Sequence, residues 1–276
     1  MASACSASKM LELDPKQILA AIGLAAGACG ALTRDGGTMA KPFRCGHAAA
    51  TGVTAALLAQ AGFSSDETVV EGRYGLLEAI GPLNEDILDS LGKQLGSEWD
   101  LAKSLRIKPF ASCTATHSGL EAMLRLVQRE KIVPDEVKSI HCDLRPYPLV
   151  RQRPGRGYEG RFSMAFCLAV ALVRGEVGAS DFTDERLQDV RIQHLIQRTH
   201  HEAKEEITVI LTNGRRLSEP FKPATNLTDL EHVRGKFADS VRAVFSENQT
   251  RKIEEQIACL EDLPSIGELT RLLQTT

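Results

Sequence analysis

Two lysines each stand directly before Pro-Phe. Lys41 lies in Gly37-Thr-Met-Ala-Lys41-Pro-Phe-Arg44-Cys-Gly-His47, and Lys108 in Arg106-Ile-Lys108-Pro-Phe-Ala-Ser-Cys113. A lysine held in a loop ahead of a helix N-terminus suits a carboxylate, which the helix dipole and the free backbone N–H groups also favour. Taken singly, either one is ordinarily a solvated loop residue; the repeated arrangement is what singles the two out. Cys113 and His117 are four residues apart and would share one helix face, as a thiolate and an imidazole do in nucleophilic catalysis. A buried cysteine beside a hydrogen-bonded histidine is the commoner origin of that spacing. A metal would need more ligands than these two supply.

Other motifs point away from common chemistries. Gly155-Arg-Gly-Tyr-Glu-Gly160 is a literal GxGxxG, with Asp181 downstream, but a dinucleotide fingerprint needs a hydrophobic strand running into the first glycine. Here the preceding Leu149-Val-Arg-Gln-Arg-Pro154 is charged and proline-terminated, which predicts a mobile loop instead. There is no HExxH, paired CxxC, GxSxG or Walker A string. His200 and His201, beside Glu202 and Glu205, are expected as surface residues on a strongly polar helix.

The elements that must position these residues change character along the 276-residue chain. From Ala2 to Gly62 the sequence is crowded with Ala, Gly and Ser. Helices are predicted over Pro15 to Leu32, capped by Asp14, and over His47 to Ala61, ended by Gly62. Ala-rich faces bury little area each, so such helices need close partners on several sides. After Leu105 the pattern turns mixed: a loop at 108–113, a helix from Thr116 to Glu130, a strand from Val137 to Leu144 and an Arg- and Pro-rich loop from Arg145 to Gly157. A buried helix follows over Phe162 to Val173, and then a hairpin of Ile207–Thr212 and Arg216–Phe221 around Asn213-Gly214. Helical periodicity returns over Leu230 to Val244, Gln249 to Leu260 and Ile266 to Leu273.

Lys and Arg number 33 against 36 Asp and Glu, a net charge of −3, which argues against a general nucleic-acid binder. Residues 105–173 alone carry +5 between two segments of −4, and such a basic island can focus the field on a small anion. Seven cysteines without paired spacing predict reduced thiols and a cytoplasmic protein. The apolar stretches are too short or too Gly-interrupted to suggest a membrane span.

Taken together, these segments resemble the MmgE/PrpD family, which includes 2-methylcitrate dehydratase, cis-aconitate decarboxylase and iminodisuccinate epimerase. The resemblance is carried by Gly37 to Gly52, Ala55 to Phe63, Val70-Glu-Gly-Arg-Tyr-Gly75, Lys108 to His117 and Gly160-Arg-Phe-Ser-Met164. It implies a mainly α fold with an α+β insert: a helical domain over 1–104, an α+β lid over 105–222, and C-terminal helices over 223–276 that pack back on the helical domain. It also implies an active site in the cleft between domain and lid, no organic cofactor, and a small di- or tricarboxylate substrate. The expected reaction is dehydration of the 2-methylcitrate type, with decarboxylation or epimerisation, or carboxylate binding without turnover, as alternatives.

Residue by residue, the resemblance makes Lys41, Lys108, Arg44 and His47 substrate-binding groups, and Cys113, His117 and Tyr147 catalytic ones. Cys113 stands where some decarboxylases of the family have a histidine, which leans away from the animal type. Further family histidines would belong to a helical segment before Met1. The chain is therefore expected to be an incomplete member, completed by a neighbouring gene product or an upstream start, and to form a homodimer.

Overall fold

A computed structural model describes residues 1–30, 32–81, 96–144, 152–223, 228–242 and 244–274. The chain divides into two compact units, one built on Met1–Ser104 and the other on Leu105–Leu144 with Gly155–Thr276.

The first unit is helical: α1 (Ala2–Met10), α2 (Pro15–Gly27), α3 (Ala40–Gln60), α4 (Leu76–Ile80) and α5 (Asp100–Ser104). Asp14 starts α2 as a capping box, accepting from the Gln17 N–H at 2.8 Å while its own N–H donates to the Gln17 side chain. The helix ends at Gly27 rather than Leu32, because Ala28 tightens onto the Ala25 and Ala26 carbonyls and the glycine-flanked Cys29 follows. α3 starts seven residues earlier than the apolar pattern suggested. Pro42 falls in its first turn, where no N–H is needed, and the Thr38 hydroxyl accepts from the Ala40 N–H at 3.2 Å.

The core between α1, α2 and α3 is made of Ala4, Ala21, Ala25, Ala55, Ala56 and Ala59. Such small side chains bury useful area only when backbones nearly touch. They do so at Gly52, where a Cβ would lie 2.6 Å from the Ala4 backbone nitrogen.

The second unit is α+β. α6 (His117–Glu130) and α7 (Met164–Arg174) pack together, and α8 (Asp184–Gln188) and α9 (Val190–Gln197) follow. The sheet has the order β2 (Thr199–His201), β1 (Val137–Cys142), β3 (Glu206–Leu211), β4 (Arg216–Pro220). β1 runs parallel to β2 and antiparallel to β3, and β3 and β4 form the expected hairpin. Gly214 takes the left-handed conformation in its turn, and the Asn213 side chain accepts from the Arg215 N–H. Glu219 of β4, nearly buried, receives both Arg125 and Arg129 and so ties α6 to the sheet.

α10 (Leu230–Val241), α11 (Glu247–Ala258) and α12 (Ile266–Leu272) complete the described chain. Two sequence expectations are corrected in this unit. His200 and His201 are exposed as expected but lie on β2, because pairing with His141 and Cys142 outweighs the polar composition of the segment. Two of the three glycines of the GxGxxG string, Gly157 and Gly160, are packing glycines rather than parts of a mobile loop, while Gly155 is exposed. Gly157–Phe162 is a 3₁₀ stretch in which a Cβ on Gly157 would strike the Thr183 backbone and one on Gly160 the Phe166 ring.

Among the described residues no helix is long and apolar enough to cross a membrane.

Candidate active site

In the second unit, the loop before α6 and the first residue of that helix bring together three of the seven singled-out residues, Lys108, Cys113 and His117. Lys108 stays in a loop, exposed, and its Nζ donates to the Ser112 carbonyl at 3.4 Å. His117 Nε2 meets the same carbonyl at 3.4 Å, and the Phe110 ring stands edge-on to the imidazole at 5.3 Å. The Ser112 and Thr116 hydroxyls hydrogen-bond at 2.7 Å, and Thr116 Oγ1 donates to the Cys113 carbonyl at 2.8 Å. The Cys113 N–H is held by the Arg161 carbonyl at 2.8 Å, so the motif containing Gly160 and Arg161 braces the motif containing Lys108.

Cys113 and His117 do not share a helix face. Thr114–Thr116 is a 3₁₀ turn and α6 begins only at His117, so the four-residue spacing spans a change of helix type. Among the described residues no hydrogen bond joins the Cys113 thiol to the imidazole. Cys113 is half-buried, whereas Cys167 behind it is buried and its thiol is pushed up to about 12 by desolvation. Cys167 is therefore inert as a nucleophile near neutral pH.

His117 is 1% exposed. Burial holds its pKa below the usual histidine value; the Ser112 carbonyl opposes that shift, and the Lys108 charge adds to it. A carbonyl only accepts, so Nε2 carries the proton in the neutral ring and Nδ1 keeps the lone pair of a base.

A residue that sequence reasoning missed enters from α10. Lys236 Nζ donates to the Lys108 carbonyl, and burial followed by the Lys108 charge lowers its pKa. A cavity of about 520 Å³ lies in the first unit, and one of about 890 Å³ lies in the second, where Pro109, Ala111 and Lys236 form part of its wall. The wall of the second also carries Glu176, Asp181, Glu231 and Asp239, so carboxylates outnumber cations there. Only the run Gly235-Lys236-Phe237 hinted at Lys236, and a Lys-Phe pair on an amphipathic helix is unremarkable by itself.

The other expected binding residues lie on α3 in the first unit. Lys41 is in its first helical turn, not in a loop as expected, because the helix extends back over Pro42. Arg44 donates to the Asp35 carboxylate and the Leu32 carbonyl, pinning the segment before α3. His47 stacks on Phe43 at 5.6 Å and borders the first-unit cavity with Leu24, Ala28 and Thr51. Lys41, Arg44 and His47 recur every three residues along α3, with Lys41 and His47 exposed and Arg44 half-buried against Asp35. Tyr147 lies outside the described residues. Among the described residues no cluster of His, Cys, Asp or Glu has the geometry to hold a metal ion.

A helical unit and an α+β unit, the latter with Lys108 in the loop before the helix that His117 begins, make up the described chain. Residues 1–85 match the MmgE/PrpD N-terminal domain and residues 110–262 the MmgE/PrpD C-terminal domain, and the chain belongs to that family. Over 99% of its length it is 25% identical to a cis-aconitate decarboxylase of Aspergillus terreus. It is 23% identical over the same share to those of Mus musculus and Homo sapiens. The alignments cover 62%, 60% and 61% of those proteins, so the chain spans about three fifths of the length of these relatives.

Proposed function

We propose that the protein is a lyase-type enzyme acting on a small di- or tricarboxylate, with reaction at a carbon next to a carboxylate. The observation that carries this is the meeting of Lys108, Lys236 and His117 on one loop turn ahead of α6. Removal of water from a β-hydroxy acid needs a base for the α proton, a general acid for the departing hydroxyl, and cations to hold the developing enediolate. Lys108 and Lys236 suit the last task. The unprotonated Nδ1 of a neutral His117 suits the first, with Cys113 and Tyr147 as further candidates for proton transfer.

Dehydration of the 2-methylcitrate type is the first reading. The relatives' names support a second, decarboxylation of cis-aconitate, in which the same cations would stabilise the carbanion left by CO₂. Both readings need no organic cofactor and suit a cytoplasmic homodimer, and Lys41, Arg44 and His47 on α3 are carried as carboxylate-binding candidates of the first unit by themselves.

The test is turnover of methylcitrate, citrate and cis-aconitate by the purified chain, following double-bond absorbance and CO₂ together. Absorbance gained from methylcitrate without CO₂ supports dehydration, and CO₂ from cis-aconitate supports decarboxylation. Binding of all three by calorimetry with no turnover would leave a carboxylate-binding protein and sink the lyase assignment.

A further inference from the structure

β2 is short and pairs with β1 alone, at the edge of the sheet. Around it the fold collects the imidazoles of His141, His200 and His201 and the carboxylates of Asp143 and Glu202. His141 has settled partners: its Nε2 hydrogen-bonds with the Ser139 hydroxyl at 3.0 Å, its Nδ1 lies 3.7 Å from Glu202, and its ring leans on that of His200. His201 differs, because one of its ring nitrogens has two claimants. Nδ1 accepts from the backbone N–H of Leu144 at 3.3 Å, and the same atom stands 3.4 Å from Asp143 Oδ1.

The two contacts exclude one another. A nitrogen that accepts carries a lone pair and cannot also donate, and a lone pair facing a carboxylate oxygen is repelled by it. Neutral His201, with its proton on Nε2, can hold the Leu144 amide. The imidazolium carries a proton on both nitrogens, so its Nδ1 donates to Asp143 and the Leu144 N–H loses this acceptor. Histidine is the side chain whose charge changes between about pH 5 and 8, so a modest fall in pH is enough.

The surrounding groups do not take over this role. Cys142, the register partner of His201, has its thiol pushed up to about 12 by burial and by the Asp143 charge, and it stays neutral. Glu202 is held below the usual glutamate range by the Lys204 hydrogen bond, with His141 and Arg216 adding to the effect, and it stays ionised. On α9, which contacts β2, Arg191 is paired with Asp189 and His194 is exposed, and Arg198 beyond it donates to the Val137 carbonyl.

We infer that His201 is a proton-operated latch at the end of β1: unprotonated it holds the Leu144 amide, and on protonation it turns to Asp143 and releases that amide. Leu144 is the last residue of the second unit before the chain leaves it, so the latch acts on a crossing of the backbone rather than on the core of the sheet.

The experiment is a pH titration of the isotope-labelled full chain by NMR, between about pH 8 and about pH 5, reading the His201 ring and the hydrogen-exchange protection of the Leu144 amide. The Ile140 amide, which donates to the Arg198 carbonyl at 2.9 Å, is the internal reference. Protection of Leu144 relative to Ile140 should fall by about fivefold as His201 protonates, the worth of one neutral hydrogen bond. Asp143→Asn should move this transition to lower pH, since removing a neighbouring negative charge disfavours the imidazolium. In His201→Asn, whose amide oxygen can accept at every pH, the relative protection should not depend on pH. A purely structural histidine would titrate while the ratio stays flat; that result, or a transition unmoved by Asp143→Asn, overturns the inference. Should a variant not fold, the wild type decides alone: the Leu144 amide and the His201 ring must share one midpoint, and separate midpoints overturn the latch.

Discussion

His117 shows how burial and chemistry meet in one side chain. Its pKa is held down mainly by desolvation, so the native state binds its proton less readily than the unfolded chain does. The sign follows directly: above about pH 6.5, the unfolded histidine's value, both states are neutral and the stability of the buried ring is fully present. As pH falls below that value the unfolded state takes up a proton first, and stability is lost until the pH passes the folded pKa. Urea midpoints measured from pH 7.5 downward should therefore decline more steeply for the wild type than for His117→Gln. Parallel declines would mean that His117 titrates normally. Near neutral pH the ring is uncharged, which is the state a general base requires.

At the scale of elements, close approach decides the first unit. Gly52 lets α3 meet α1, and a Cβ there would come 1.8 Å from the Ser3 Oγ and 2.6 Å from the Ala4 nitrogen, which a rotamer change cannot relieve. Gly52→Ala should cost about 1–3 kcal/mol in chemical denaturation, the range for overpacking. Gly46 sits in the same helix, exposed, with nothing within 4 Å of an added Cβ. Gly46→Ala should raise stability by up to about 1 kcal/mol through helix propensity alone. Equal effects from the two substitutions would refute close helix packing as the reason for Gly52. The same logic accounts for two glycines of the GxGxxG string, Gly157 and Gly160, which answer to Thr183 and Phe166.

For the whole molecule, a net charge of −3 conceals a basic middle third, and the fold sets Lys108 of that third beside Lys236 from the acidic last segment. A ligand that binds only the folded chain stabilises it by mass action, by about 2.7 kcal/mol at a hundred times its Kd. Cis-aconitate at that excess should raise the melting temperature by several degrees, and the gain should shrink as added salt screens the exposed lysine. A melting temperature indifferent to the anion at low salt would argue against a carboxylate site in this protein.

The residue string by itself determined the small-residue helices, the hairpin at Asn213-Gly214, the α+β character after Leu105, and the Lys-Pro-Phe loop with His117. These depend on local propensity, periodicity and turn chemistry, which act within a few residues. Only the tertiary structure decided that α3 runs back over Lys41, that the His200-His201 pair belongs to a strand, and that Cys113 stands outside the helix His117 begins. In each case pairing, capping or packing outweighed the local pattern. It alone brought Lys236 onto the Lys108 carbonyl, because a contact between residues 128 positions apart depends on the path of the folded backbone, and no local periodicity encodes that path.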